Sequence, residues 1–124
     1  MRTFLIAACL TICFGADDHV AQHKAWMDTA QDLKDELQDA LDAKAASKVA
    51  EAANKLAEIG QREERYWSKA KVVEAVKLAR ENLAAAREIA QSAKAGQLDQ
   101  ASKAFVKLND TCRSCHDLHL EKRR

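Results

Sequence analysis

The sequence contains no proline and only three glycines, and aromatic residues make up 5% of it. Proline and glycine are the residues that most often interrupt helices and strands, so their scarcity predicts long continuous elements. Apolar residues recur at steps of three and four rather than two, which argues against strands and favours amphipathic helices. The chain also has no large surplus of charge, with 20 basic and 19 acidic residues. Because nucleic acids and anionic membranes attract basic proteins, this balance indicates neither as a partner.

The only long apolar run lies at the start of the chain. Arg2 provides a basic beginning, residues 3–14 are largely apolar, and the small residues 15–16 follow. This order is typical of a secretion signal peptide, and the run is too short to span a bilayer as a helix. We therefore predict a signal peptide at residues 1–16 and one mature domain at residues 17–124, exported to the periplasm.

The predicted leader contains two of the four cysteines, Cys9 and Cys13. A lipid anchor on Cys13 is an alternative to simple export, although the bulky Ile12 before it argues against this interpretation. Removal of the leader leaves Cys112 and Cys115. A cysteine pair in an exported protein usually predicts a disulfide, but a bond across so short a loop would contribute little stability.

Residues 112–116 follow the pattern Cys-x-x-Cys-His, which is the attachment pattern of c-type haem. Positions i, i+3 and i+4 of a helix share one face. Both sulfurs and the imidazole can therefore meet the same flat macrocycle. We predict one covalent haem c, held by thioethers from Cys112 and Cys115, with His116 as an iron ligand.

Two other interpretations of this pattern are weaker. A thioredoxin-like cysteine pair lies at a strand-to-helix junction, and no strand pattern occurs in this sequence. A zinc site would use Cys112, Cys115, His116 and His119. These residues occupy positions i, i+3, i+4 and i+7 of one helix and spread over about 10 Å. Zinc needs four ligand atoms within roughly 2.0–2.3 Å of the metal, so one straight helix cannot provide the site.

Four amphipathic segments follow the leader. Their inward positions, segment by segment, are Val20, Met27, Ala30, Leu37 and Leu41; Val49, Ala53, Leu56, Ile59 and Tyr66; Val72, Val76, Ala79, Leu83, Ala86, Ala90 and Ala93; and Leu98, Ala101, Phe105, Leu108, Cys112, Cys115 and His119. Four such segments with short joins predict an all-α protein, an antiparallel four-helix bundle with covalently bound haem. Because the stripes are rich in alanine, we expect the haem to supply part of the core.

Several residues predict where the helices begin and end. Asp42 or Ser47 can cap the second helix, residues 66–68 can turn it into the third, and Gly96 suits a left-handed position after the third. Gly60 lies inside the second helix at a cost of about 1 kcal/mol relative to alanine. It indicates either a close approach of another backbone or the haem, or a tolerated surface glycine.

Residues 104–117, which read AFVKLNDTCRSCHD, resemble the C-terminal helix of the class II c-type cytochromes, the cytochrome c-prime family with its low-spin relatives. The terminal match is specific, whereas the rest of the chain matches in length and layout and only loosely in sequence. The resemblance implies a four-helix bundle with thioethers at Cys112 and Cys115 and with His116 as the proximal ligand. It also implies that the first helix covers the opposite face of the haem.

In that family, one position of the first helix is apolar in five-coordinate members and methionine in low-spin electron carriers. By position this residue corresponds to Met27, while His23 stands where many members have arginine. Met27 is therefore predicted as the distal iron ligand, with a flexible core filler as the alternative. Methionine–histidine ligation supports electron transfer without a vacant site. His23, one turn earlier, is a second candidate for the iron or for a propionate.

These alternatives lead to two functions. The first is a periplasmic monohaem electron carrier, with iron bound by His116 and Met27, that docks transiently with redox partner proteins. The second is a five-coordinate haem protein that binds nitric oxide or carbon monoxide, in which Met27 only packs. We expect no enzymatic activity, because no acid–base pair or substrate pocket can be read from the sequence. The resemblance also allows a homodimer through the first two helices, although neither shows a clear exposed apolar patch.

Overall fold

The structure, a computed structural model, describes the backbone of residues 16–118 and the side chains of residues 19–118. The predicted leader, including Cys9 and Cys13, precedes this part of the chain except for its last residue. His119, which was a candidate zinc ligand and an inward position of the fourth segment, also lies outside the described residues.

Residues 16–118 form four α-helices joined by short links. They are α1 (Ala16–Asp42), α2 (Ala46–Lys69), α3 (Val73–Lys94) and α4 (Leu98–Asp117), and no strand occurs in this range. The prediction of an all-helical chain is confirmed, and the arrangement is compatible with a four-helix bundle. None of these helices, as far as they are described, is long and apolar enough to cross a membrane.

Each link contains one residue in the left-handed backbone region, namely Lys44 (φ 53°), Lys71 (φ 58°) and Gly96 (φ 72°). The predicted position of Gly96 after the third helix is confirmed, and its N–H donates to the carbonyl of Ala93 at 3.0 Å. Glycine adopts this conformation without the steric penalty that a side chain brings. The third helix can therefore end sharply at this point.

Two predictions about the ends of α2 are wrong. Its N-cap residue is Ala45, and no side chain caps the helix there. Residues 66–68 do not form a turn, because α2 continues to Lys69. The reason is that Trp67 faces inward with 3% of its surface exposed, so its burial favours another helical turn before the chain reverses.

Consecutive helices run antiparallel, as the contacts between α2 and α3 show. Gly60 lies against Leu83, and four residues later Glu64 accepts a hydrogen bond of 2.8 Å from Arg80 Nε. The residue numbers rise on one helix as they fall on the other. Short links require this direction, since a chain that reverses within a few residues can only return alongside the preceding helix.

An exposed polar contact joins α3 to α4. Gln100 Nε2 donates to Glu88 Oε1 at 3.0 Å, and Lys107 Nζ lies 3.4 Å from Glu88 Oε2. The hydrogen bond from Gln100, followed by that from Lys107, holds the pKa of Glu88 below its ordinary value. Because exposed ion pairs contribute little to stability, this contact adds little to the packing of the two helices.

The core contains much alanine and few bulky side chains. The largest fully buried side chains are Leu37, Ile89, Leu108 and Val49. The most extensive helix–helix interface is the one between α2 and α3, where alanines such as Ala53 and Ala86 are completely buried. Small side chains let two backbones approach closely, so this pair forms the most tightly packed part of the protein.

Gly60 is the clearest example of this close approach. A Cβ atom at this position would lie 3.2 Å from Leu83 Cβ and 3.3 Å from Leu83 Cα. Both distances are shorter than ordinary van der Waals contacts between carbons, which begin at about 3.5 Å. Of the two interpretations of Gly60, a close approach of another backbone is therefore confirmed, and a surface glycine is wrong.

Replacement of Gly60 with valine should force α2 and α3 apart. We expect the free energy of unfolding to fall by about 1–3 kcal/mol, which is the usual cost of overpacking a core. Chemical denaturation followed by circular dichroism would measure it. The matched control is Gln61→Val on the exposed side of the same helix, where only the smaller difference in helix propensity applies. Equal losses for both variants would contradict this explanation.

Candidate functional site

The residues of the Cys-x-x-Cys-His pattern lie on α4 and line one cavity of about 280 Å³. All four helices contribute to its wall. The lining residues are Met27, Asp28, Ala30, Gln31, Lys34, Leu56, Ile59, Glu63, Trp67, Leu78, Ala79, Asn82, Thr111, Cys112, Cys115 and His116. Most of the surface of the wall is apolar, although seven of the sixteen lining residues are polar or charged. Ligand and cofactor sites commonly combine an apolar wall with polar groups.

The cavity lies where α1 and α4 do not pack against each other. The pairs α1–α2, α2–α3 and α3–α4 pack extensively, whereas α1 and α4 make few direct contacts. On α1, the face toward the cavity includes the small side chain of Ala30, and on α3 it includes Ala79. A bundle of otherwise dense packing therefore leaves a space directly in front of the residues of the motif.

Cys112, Cys115 and His116 share one face of α4, because the helix is continuous through Asp117. The two cysteines are partly buried and are not joined by a disulfide, while His116 is exposed. Cys112 packs against the main core. Cys115 packs against a second apolar cluster that contains Trp67. The two sulfurs are thus supported from different sides of the bundle.

Asn82 on α3 connects the neighbouring helix to the motif. Its Nδ2 atom donates to Thr111 Oγ1 at 2.8 Å and lies 3.5 Å from Cys112 Sγ. Thr111 Oγ1 in turn donates to the carbonyl of Leu108 at 2.7 Å. This chain of hydrogen bonds ties α4 to α3 beside Cys112, which lines the cavity.

Met27 lies on the cavity wall contributed by α1. It is half-buried, and it also packs against the main core. The structure therefore brings together the four residues that the sequence analysis assigned to the haem, namely Met27, Cys112, Cys115 and His116. Ligation by Met27 stays a prediction, since a packing role fits the same position.

His23 lies elsewhere and is not part of the cavity wall. It is buried, and its Nε2 atom lies 2.9 Å from Glu63 Oε2. Its ring stacks on Tyr66 with a centroid distance of 4.7 Å and meets Trp67 edge-on at 5.4 Å. The imidazole is thus enclosed by an acidic partner and aromatic rings, and it interacts with these groups.

The sequence analysis missed Glu63, which is both buried and part of the cavity wall. Its Oε2 atom accepts a hydrogen bond of 3.0 Å from Trp67 Nε1 and is in contact with His23. Its Oε1 atom is buried and has no hydrogen-bond partner. The sequence carried a signal for this residue, because Glu63 interrupts an inward series formed by Leu56, Ile59 and Trp67.

No three histidine, cysteine, aspartate or glutamate side chains between residues 19 and 118 are close enough together to hold a metal ion. Cys112, Cys115 and His116 therefore do not form part of a zinc cluster within that range. Haem iron needs fewer side-chain ligands than zinc does, because the porphyrin itself supplies four nitrogen ligands.

Comparisons of the chain with models of known protein families, with curated proteins and with solved structures give no match. The functional argument therefore depends on the chain's own residues. These are the motif on α4, the cavity in front of it, and the buried acidic group in the cavity wall.

Loss of the Asn82 side chain should loosen the contact between α3 and α4 at the motif. We expect Asn82→Ala to lower the free energy of unfolding by about 0.5–1.5 kcal/mol, the usual contribution of a hydrogen bond. Urea denaturation would measure the change. The control is Asn54→Ala on the exposed face of α2, which should have almost no effect. A loss no larger than that of the control would show that the Asn82 hydrogen bonds are unimportant.

Proposed function

We propose that the protein is an exported, periplasmic monohaem c-type cytochrome that acts as an electron carrier. Cys112 and Cys115 would hold the haem covalently, and His116 would bind the iron. Met27 would bind the iron as a second ligand. This proposal joins the sequence pattern on α4 to the cavity that lies in front of it.

The observation that carries the proposal is that all three motif residues line one mainly apolar cavity. A Cys-x-x-Cys-His pattern on a fully packed helix face would have no room for a porphyrin. Here the neighbouring helices leave that face uncovered, and they surround it with Leu56, Ile59 and Leu78. The residues present therefore fit a covalently attached haem, whose planar, apolar body needs such surroundings.

Each group of the chain has a distinct part in this function. The bound haem would supply reversible one-electron chemistry at iron, which no side chain provides. The thiols of Cys112 and Cys115 hold the group in one orientation. The apolar part of the wall would lower the local dielectric constant around the haem, which strengthens electrostatic interactions there. The sulfur of Met27 is an uncharged candidate ligand on α1, and such a ligand favours the reduced state relative to a second histidine.

Attachment can be tested by export of the protein from a bacterium that matures c-type cytochromes. We expect Soret absorbance that stays with the polypeptide after denaturation, and a protein mass increased by one haem. The variant Cys112→Ser/Cys115→Ser should lose covalent attachment. The control is Ser114→Ala, which changes an exposed residue between the two cysteines and should keep it. A wild-type protein with the mass of the bare polypeptide would refute the proposal.

The alternative function is a five-coordinate protein that binds nitric oxide or carbon monoxide. One observation favours it: Met27 packs against the core, so its sulfur has a purely structural use as well. The two functions differ in the coordination number of the iron, because a carrier has both axial positions filled and a gas binder keeps one vacant.

Substitution of Met27 should separate these two functions. We expect a ferric band at the red end of the spectrum, typical of methionine–iron bonding, which disappears in Met27→Ala while carbon monoxide uptake appears. The control is Leu41→Ala, a half-buried apolar residue of the same helix outside the cavity wall. Ready uptake of carbon monoxide by the wild-type protein, with a high-spin spectrum, would favour the gas binder.

The partners of such a carrier would be larger redox proteins that exchange electrons during brief contacts. Lipid attachment through Cys13 is the alternative to a freely diffusing periplasmic protein, and a homodimer through α1 and α2 is an option from the family resemblance. Mass spectrometry of the exported protein distinguishes a lipidated N-terminus from a cleaved one. Analytical ultracentrifugation of the same preparation determines the oligomeric state.

A further inference from the structure

The most unusual group in the cavity wall is the carboxylate of Glu63. Only 8% of this residue is exposed, and buried carboxylates are rare unless they are paired. Both of its oxygens are enclosed, yet only Oε2 has hydrogen-bond partners and Oε1 has none. A buried acceptor without a partner is costly. Because Glu63 also belongs to the cavity wall, its carboxylate is a candidate to act on what the cavity holds.

Two neighbours prevent this carboxylate from turning away. Trp67 Nε1 donates to Oε2 at 3.0 Å from the next turn of the same helix. His23 Nε2 lies 2.9 Å from the same oxygen and comes from α1. The imidazole is itself held between Tyr66 and Trp67. Glu63 is thus fixed in position before any cofactor binds, which is the condition for an electrostatic effect without reorganisation.

The other charges of the cavity wall are farther from the interior. Asp28 is exposed and pairs with Lys24 at 2.7 Å, so its charge is largely screened by solvent. Lys34 is half-buried and belongs to α1, the helix opposite the motif. His116 is the proposed iron ligand. Glu63 is therefore the only buried acidic group of this wall within the described residues.

We propose that Glu63 is a positioning residue that directs a fixed negative charge at the haem site and so favours the oxidised iron. This inference rests on the proposed haem attachment at Cys112, Cys115 and His116. Oxidised iron carries one positive charge more than reduced iron. A buried negative charge nearby therefore stabilises the oxidised state, and the mainly apolar wall of the cavity preserves this effect.

The opposing influences of Met27 and Glu63 would then set the reduction potential. A methionine ligand raises the potential, whereas the Glu63 carboxylate lowers it. His23 and Trp67 moderate the carboxylate, because hydrogen bonds to Oε2 withdraw part of its charge. The buried cluster on α1 and α2 thus has a role in electron transfer although only part of it reaches the cavity.

The test is the midpoint potential of the haem-loaded protein, measured by spectroelectrochemistry. We expect Glu63→Gln to shift the equilibrium about tenfold toward reduced iron, which is an increase of about 59 mV for one electron. Glu63→Asp keeps the negative charge, so its midpoint potential should stay close to that of the wild-type protein. The matched control is Glu58→Gln, an exposed carboxylate on the same helix, with an expected change below about twofold. A potential that is unchanged or lower in Glu63→Gln would overturn the inference.

A second variant decides the matter if Glu63→Gln fails to fold or to load haem. Trp67→Phe keeps the carboxylate and removes one hydrogen-bond donor from Oε2. Less of the negative charge of Glu63 is then withdrawn, so the midpoint potential should fall. An unchanged or raised potential would overturn the inference. Failure of the proposed function has a different signature, because the wild-type protein would then carry no haem at all.

Discussion

If the protein carries the proposed haem, its arrangement depends on one geometric constraint, that three side chains on a single helix face must meet one flat group. On α4 these are Cys112, Cys115 and His116, and the face that carries them lines a cavity. A neighbouring helix packed on that face would close the cavity. The bundle accordingly has three extensive interfaces between consecutive helices, and few contacts between α1 and α4.

The close packing of α2 against α3 provides a rigid support beside the cavity. The α2 and α3 helices approach each other through alanines and through Gly60, which lies against Leu83. Close packing of small side chains makes a stiff interface, because protein interiors are packed as densely as organic crystals. The α3 helix then holds α4 through Asn82 and Thr111. The motif is therefore positioned by a continuous series of contacts that begins in the best-packed region.

Buried polar groups on α1 and α2 occupy the other side of the cavity. A cluster of His23, Glu63, Tyr66 and Trp67 encloses a carboxylate and an imidazole in an otherwise apolar bundle. Buried ionisable groups stabilise a fold poorly, because desolvation offsets much of their attraction. Under the proposed function, these groups act instead on the haem that the cavity would hold. Part of this cluster, Glu63 and Trp67, also belongs to the cavity wall.

The sequence by itself determined the helical class, the sharp end of α3 at Gly96, and the shared face of Cys112, Cys115 and His116, because each of these depends on local periodicity or on one residue's backbone freedom. It did not determine the role of Gly60, the true end of α2 after Trp67, or the burial of Glu63. Those features depend on which side chains of distant helices meet, and neighbouring residues in the sequence carry no direct record of such contacts. Only the tertiary structure decided that Met27 faces the motif across a cavity while His23 turns toward Glu63.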